Sequence, residues 1–290
     1  MQEALQGFHV KTRNSLTIPL FVIRINNMGK IIGICNQKGG TGKTTTAINL
    51  SSFLGLAEKK TLLIDMDPQG NATSGVGFNS QGKNSIYDVI MDKASLSESI
   101  YPTKWPNLHI IPSDISLTGG EVELVNIDNR ELRLRDKLEA IKDDFSYIII
   151  DAPPSLGLLT VNVLTASDSL IIPIQCEYYA LEGVSKLVNT IELVRERLNP
   201  SLDIEGVLLT MGDFRTRLTL QVIEEVRNFF QKKAFNIIVP RNIRLAEAPS
   251  FGKPICFYDP VCVGNKAYLN LAQELLKEKI EINQLAKIRS

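Results

Sequence analysis

Cys35-Asn-Gln-Lys-Gly-Gly-Thr-Gly-Lys-Thr-Thr-Thr46 is the stretch on which the reading of this chain turns. It lies between an apolar run, Lys30–Cys35, and a helical pattern. Glycines at this point let backbone N–H groups converge on phosphate oxygens, and the helix that follows adds the positive end of its dipole. Lys43 is expected to neutralise β- and γ-phosphates, and the Thr44 hydroxyl to ligate Mg²⁺. Lys38, Gly39, Gly40, Thr41, Gly42, Lys43, Thr44 and Thr45 together form the expected phosphate cradle. The pattern G-x-x-x-x-G-K-[ST] is not met strictly, because Gln37 stands where its first glycine belongs. A second lysine, Lys38, precedes the glycine pair instead.

Outward from this loop the chain alternates short apolar runs with amphipathic stretches. The runs are Lys30–Cys35, Thr61–Asp65, Leu108–Pro112, Tyr147–Asp151, Ser169–Ile174, Ile204–Thr210 and Asn236–Val239. Several are continuous Ile/Val segments without polar alternation, the pattern of strands covered on both faces. Helical stripes are clearest at Leu181–Leu198, through Leu187, Ile191, Val194 and Leu198, and at Leu220–Lys232, through Val222, Val226 and Phe229. The expected fold is α/β: a doubly wound, mostly parallel sheet with helices on both faces, like that of P-loop NTPases. The strand order is not determined at this level. One domain is expected over 28–280, with a C-terminal tail at 281–290. Residues 1–27 carry Lys11, Arg13 and the apolar run Leu16–Ile23, too short to span a bilayer. They are expected to be an extension outside the main fold or a misassigned start.

Two carboxylate sites end strands. Thr61–Asp65 runs into Asp65-Met-Asp-Pro-Gln-Gly-Asn71, and Tyr147–Ile150 runs into Asp151-Ala-Pro-Pro154. Carboxylates at the C-terminal ends of parallel strands face the crevice where open α/β sheets bind ligands. Asp151 is expected to hold Mg²⁺ directly or through water, and Asp65 to support its hydration. Taken singly, each could be a turn or cap residue.

Composition excludes several classes. Formal net charge is zero, so contact with nucleic acid would need a local patch. Cys35, Cys176, Cys256 and Cys262 form no CxxC pair and have no neighbouring histidine, which argues against zinc, a cluster or a disulfide scaffold. His9 and His109 lie in no catalytic pattern.

The segment Lys38-Gly-Gly-Thr-Gly-Lys-Thr-Thr45 resembles the deviant Walker A motif of the ParA/MinD superfamily of ATPases. Asp67-Pro-Gln-Gly-Asn-Ala-Thr-Ser-Gly75, Asp151-Ala-Pro-Pro-Ser155, Glu177-Tyr-Tyr-Ala-Leu-Glu-Gly183 and Pro240-Arg-Asn-Ile-Arg-Leu-Ala-Glu-Ala-Pro-Ser250 resemble the ParA/Soj branch. That resemblance implies a cytoplasmic, nucleoid-associated ATPase for chromosome or plasmid partitioning. It implies ATP and Mg²⁺ as ligands, an ATP-dependent homodimer, non-specific DNA binding, and stimulation by a ParB-type partner. By resemblance, Lys38 reaches the partner's nucleotide, Asp67 positions or activates the hydrolytic water, and Pro240 and Asn242 lie near the adenine.

For DNA the candidates are Arg215, Arg217, Arg241 and Arg244; Arg215 and Arg244 fall where Soj-like proteins carry DNA-contacting arginines. Solvation, or pairing with Asp213 and Glu247, is their plainer explanation. Val261-Cys262-Val263 stands where Soj-like proteins often carry arginine and serine, which removes basic charge from that loop. A MinD-like membrane ATPase is the main alternative. Its amphipathic tail would be Leu275–Ser290, but this stretch has no aromatic residue, and Glu278 and Glu281 dilute its positive face. A non-hydrolysing adaptor would need neither Asp67 nor Lys38, and a nitrogenase-reductase relative would need cluster-ligating cysteines.

Overall fold

Ile and Leu residues on neighbouring positions of one strand point to opposite sides of the molecule, and that alternation explains the architecture. The computed structural model describes residues 29–177 and 180–280. The expectations for the N-terminal extension, His9 and the tail at 281–290 lie outside the described residues, as do the side chains of 178–183. Among the described residues eight strands form one sheet: β1 (Lys30–Ile34), β2 (Thr61–Asp65), β3 (Tyr101–Pro102), β4 (Leu108–Ile111), β5 (Tyr147–Asp151), β6 (Ser169–Gln175), β7 (Asp203–Gly212) and β8 (Ala234–Pro240). Their order is β3-β4-β2-β5-β1-β6-β7-β8, and every pairing is parallel except that of β3 with β4.

The helices are α1 (Lys43–Leu56), α2 (Asn71–Gly75), α3 (Ile86–Ile90), α4 (Ser116–Leu124), α5 (Arg133–Leu138), α6 (Leu158–Ala166), α7 (Ala180–Arg197), α8 (Arg217–Phe230), α9 (Ile243–Glu247), α10 (Ile255–Tyr258) and α11 (Val263–Leu276). Ile31, Leu62, Ile64, Ile148, Ile150, Leu170 and Ile172 join one core with side chains of α3 to α8. Ile32, Ile34, Leu63, Ile149 and Ile171 join a second core with α1, α10 and α11. Strands with both faces buried must be apolar throughout, hence the unbroken Ile/Leu runs.

Helix α1 is buried along nearly its whole length, pinned between the sheet and α11. The loop before it is therefore carried by two buried elements, β1 and α1. Tyr268 of α11, fully buried, shares a hydrogen bond of 3.2 Å with the Thr46 hydroxyl. The Asn49 side chain accepts from the Ile255 amide at 2.7 Å, tying α10 to α1.

The expected strands are all present, and the short edge strand β3 is an addition. Helix α7 buries Leu187, Ile191 and Val194 as the stripe predicts. Helix α8 departs from its stripe. Phe229 is 61% exposed, while Ile223 and Phe230 are buried beside Val222 and Val226. At about 100° per residue the buried positions centre some 75° away from Phe229, so the face against the sheet is rotated towards Ile223 and Phe230. Thr216 starts this helix by accepting from the Thr219 amide, an N-cap that places the helix start three residues before Leu220.

Candidate nucleotide site

The crevice lies at the C-terminal ends of β1, β2 and β5. Gly40 and Gly42 both have positive φ, 73° and 89°, a backbone region that glycine enters without strain. A side-chain carbon built on Gly39 or Gly40 would meet nothing within 4 Å, so the loop faces open space. Gly42 caps α1 without a side-chain partner, and the first turn holds no acidic residue. The amides of that turn are thus left for an anion.

Lys43 is only 6% exposed, and its ammonium donates to the Lys38 carbonyl at 3.2 Å. Burial holds its pKa below the usual lysine value, opposed by nearby Asp151, Cys35 and Asp67. Asp65 and Asp151 sit side by side because β2 and β5 pair in register there. Both are fully buried. Asp65 is braced: one oxygen accepts from the Thr73 amide at 2.8 Å and hydroxyl at 2.7 Å, the other from the Asp67 amide at 3.2 Å. Burial pushes its pKa up to about 6, against the pull of those bonds.

Asp151 is the outlier. Among the described residues neither of its buried carboxylate oxygens has a hydrogen-bond partner. Burial raises its pKa well above the carboxylate range, and the charge of Asp65 adds to this. Thr44 and Lys43 pull the other way, although the Thr44 hydroxyl makes no bond of ordinary geometry to it. An unpartnered buried carboxylate is costly unless a cation compensates it. The donor set, one threonine hydroxyl and one free carboxylate beside a phosphate cradle, fits Mg²⁺, which takes few protein ligands and completes its shell with phosphate and water. Among the described residues no cluster of three or more His, Cys, Asp or Glu could hold a metal by itself.

Asp67, 8% exposed, follows two residues after Asp65; its carboxylate accepts from the Gln69 amide at 3.0 Å and shapes the turn towards α2. Beside the first turn of α1 opens a cavity of about 400 Å³, within the range that small ligands occupy. Gly42, Thr45, Pro240, Asn242, Met211 and Tyr268 are among its walls. Asn242 also caps α9, accepting from the Arg244 amide at 3.0 Å. Met211, at φ 53°, and Thr210, which donates to the Thr41 carbonyl at 2.8 Å, are wall and brace that no motif announced. Thr73 was contained in a quoted motif, yet its partnership with Asp65 required the fold.

Of the arginines, Arg241 lines this cavity, whereas Arg215 and Arg244 are not among its walls. Arg215 has an 88% exposed side chain and clasps Asp213 at 2.8 and 2.6 Å, holding that carboxyl down at about 2. Arg244 contacts Glu247 at 2.9 Å and Asp259 at 3.3 Å. Arg241 has no ion pair among the described residues; its amide donates to the Gly212 carbonyl at 3.1 Å, which sets the two arginine loops next to each other. The pairing anticipated for Arg215 and Arg244 is therefore present.

The described cysteines form no disulfide, and burial pushes the Cys35 thiol up to about 12 and the Cys176 thiol up to about 11. Cys262 is half-buried and its sulfur accepts from the Asn265 amide at the start of α11. His109 packs edge-on against Phe145, and burial and nearby Lys60 lower its pKa. No helix of the described residues is long and apolar enough to cross a membrane.

A family profile described as an AAA domain matches residues 29–204. The chromosome partitioning protein ParA of Myxococcus xanthus is 56% identical over 251 residues, which cover 86% of this chain and 89% of that protein. The sporulation initiation inhibitor protein Soj of Bacillus subtilis is 56% identical over 249 residues, 86% of this chain and 98% of its own. Among solved structures, a cobyrinic acid a,c-diamide synthase from Mycobacterium smegmatis with bound ADP and magnesium superposes with a TM-score of 0.75 at 32% identity. That match covers 86% of this chain and 95% of the other.

Proposed function

We propose, since this chain belongs to the ParA/Soj family of chromosome-partitioning ATPases, that ATP serves it as an assembly switch. Bound ATP would bring two chains together, the dimer would hold DNA through its phosphates, and a ParB-type partner would trigger hydrolysis and release. The observation that carries the nucleotide reading is the buried, unpartnered Asp151 facing an uncapped helix start and an open glycine loop.

In this reading the loop amides and Lys43 bind the phosphates, Thr44 and Asp151 hold Mg²⁺, and Asp65 keeps the Asp67 segment in place. Magnesium there supplies neutralisation of phosphate charge. Asp67 orients the attacking water, which is most of what a protein contributes to phosphoryl transfer besides electrostatics. The cavity beside Pro240 and Asn242 receives the base. The ADP and magnesium in the synthase at 32% identity support both ligands.

Lys38 precedes the loop and cannot duplicate Lys43. Its ammonium pairs with a half-buried carboxylate, Glu177, at 3.0 Å. Lys38→Ala should therefore keep ATP binding to the monomer within a few fold, yet abolish ATP-dependent dimerisation and stimulated turnover. Sedimentation velocity with and without ATP checks this, and an unchanged dimer in the variant would remove the sandwich arrangement from the proposal.

DNA contact is assigned to the adjacent loops bearing Arg215, Arg241 and Arg244. A chain of zero net charge supplies no bulk attraction, so binding should need the doubled patch of a dimer. Expected binding is ATP-dependent, weak in sequence preference and steeply salt-dependent. Arg215→Glu or Arg244→Glu should lower affinity for any duplex and flatten the plot of log K against log salt by about two per dimer. ATP-driven dimerisation should be spared. Fluorescence anisotropy on duplex DNA at several salt concentrations decides it; wild-type affinity and slope in both reversals would take the DNA surface away from these loops.

A further inference from the structure

The loop lysine that is not used in its own site is restrained at both ends by its own chain. Its ammonium donates to Glu177 Oε2 at 3.0 Å, a contact spanning 139 residues of sequence. Glu177 is set for this contact: it follows the end of β6, its amide donates to the Gln175 carbonyl at 2.8 Å, and the Gln175 side-chain amide donates to its other oxygen. The backbone of Lys38 is held as firmly. Its amide donates to the Asn36 side chain at 3.0 Å, and Asn36 donates in turn to the Pro173 carbonyl of β6 at 2.6 Å. Its carbonyl accepts from Lys43 at 3.2 Å. One restraint on Lys38 is thus the cation that phosphates of the same site would claim.

We infer that Glu177 is a positioning residue that keeps Lys38 on its own chain until a second nucleotide-loaded chain takes the lysine over. The inference rests on the sandwich-dimer reading above. Phosphate in the cradle draws Lys43 off the Lys38 carbonyl, so nucleotide bound in cis removes one backbone restraint on Lys38 and leaves those from Thr41 and Asn36. The ammonium stays on Glu177 throughout this step, because the Lys43 contact is made by the Lys38 carbonyl. A carboxylate at that place repels incoming phosphates, and Lys38 engages them fully only on leaving it. With side chains 43% and 44% exposed, the pair is solvated and weak, and a stronger phosphate contact can displace it. Glu177 thereby sets the threshold for dimerisation without touching the nucleotide.

The test uses the full chain with Mg²⁺ and a slowly hydrolysed ATP analogue, and reads the monomer–dimer equilibrium by sedimentation velocity. Glu177→Gln should form dimer at about two- to thirtyfold lower protein concentration than wild type, the range expected for releasing two exposed ion pairs, one per chain. Glu177→Asp, which keeps the charge, should stay closer to wild type than Glu177→Gln does. Nucleotide affinity, measured at protein concentrations below dimerisation, should be equal in all three. A residue with only a structural role would lower both stability and dimerisation on neutralisation. Equal or weaker dimerisation of Glu177→Gln, beside a wild type that dimerises, overturns the role of Glu177 alone. A wild type that stays monomeric with saturating analogue overturns that role and the sandwich reading together.

Discussion

Replacing Lys43 with alanine should reduce ATP affinity by about 10²–10⁴-fold, measured by calorimetry or by competition against a fluorescent analogue. Charged hydrogen bonds contribute about 1.5–3 kcal/mol each, and a lysine bridging two phosphates loses about two of them. Lys43 is the cation buried in the cradle itself, 6% exposed and already donating to a loop carbonyl that phosphate would replace. The fold should survive. Burial disfavours the charged amine, so its removal relieves one cost, while Asp151 loses a countercharge and its pKa moves further up. These effects oppose each other, and circular dichroism should show unchanged secondary structure. ATP affinity equal to that of wild type would sink the assignment of this loop.

Asp67→Ala should leave ATP binding within a few fold while turnover falls about 10²–10³-fold, as loss of a water-positioning or proton-accepting group does. With hydrolysis blocked, the variant should accumulate as an ATP-bound dimer on size exclusion. Because the carboxylate also accepts from the Gln69 amide, alanine removes a turn contact as well as a charge. Asp67→Asn separates the two, since the amide oxygen can keep the turn. Near-normal turnover in Asp67→Asn would make the residue a turn former and nothing more. A variant that remains monomeric in ATP while wild type dimerises would remove it from the switch.

The cradle was legible in the sequence because it is local. The glycines, Lys43 and Thr44 proposed to hold the nucleotide fall within ten residues, and the strand before and the helix after are readable from apolar periodicity. The strand-end positions of Asp65 and Asp151 were legible for the same reason, and so was the two-sided burial of β1, β2, β5 and β6. Helix α8 marks the limit of that reading. Its stripe admits two neighbouring faces, and only packing against the sheet selected Phe230 over Phe229.

What the sequence determined by itself is the chemistry of each segment: a glycine-rich loop suited to phosphate, two strand-end acids, a second lysine ahead of the first, and arginines in two later loops. Tertiary structure alone decided which of these meet. The order β2-β5-β1-β6 puts Asp65 beside Asp151 and brings β6, with Glu177 at its end, against the loop that carries Lys38. The same closure leaves Asp151 without a partner, gives Asp65 to Thr73, and pairs Arg215 and Arg244 with acids on their own surface. Periodicity reports burial along one element. It carries no information on which element lies alongside, because strand order follows from crossovers that leave no local mark on the chain.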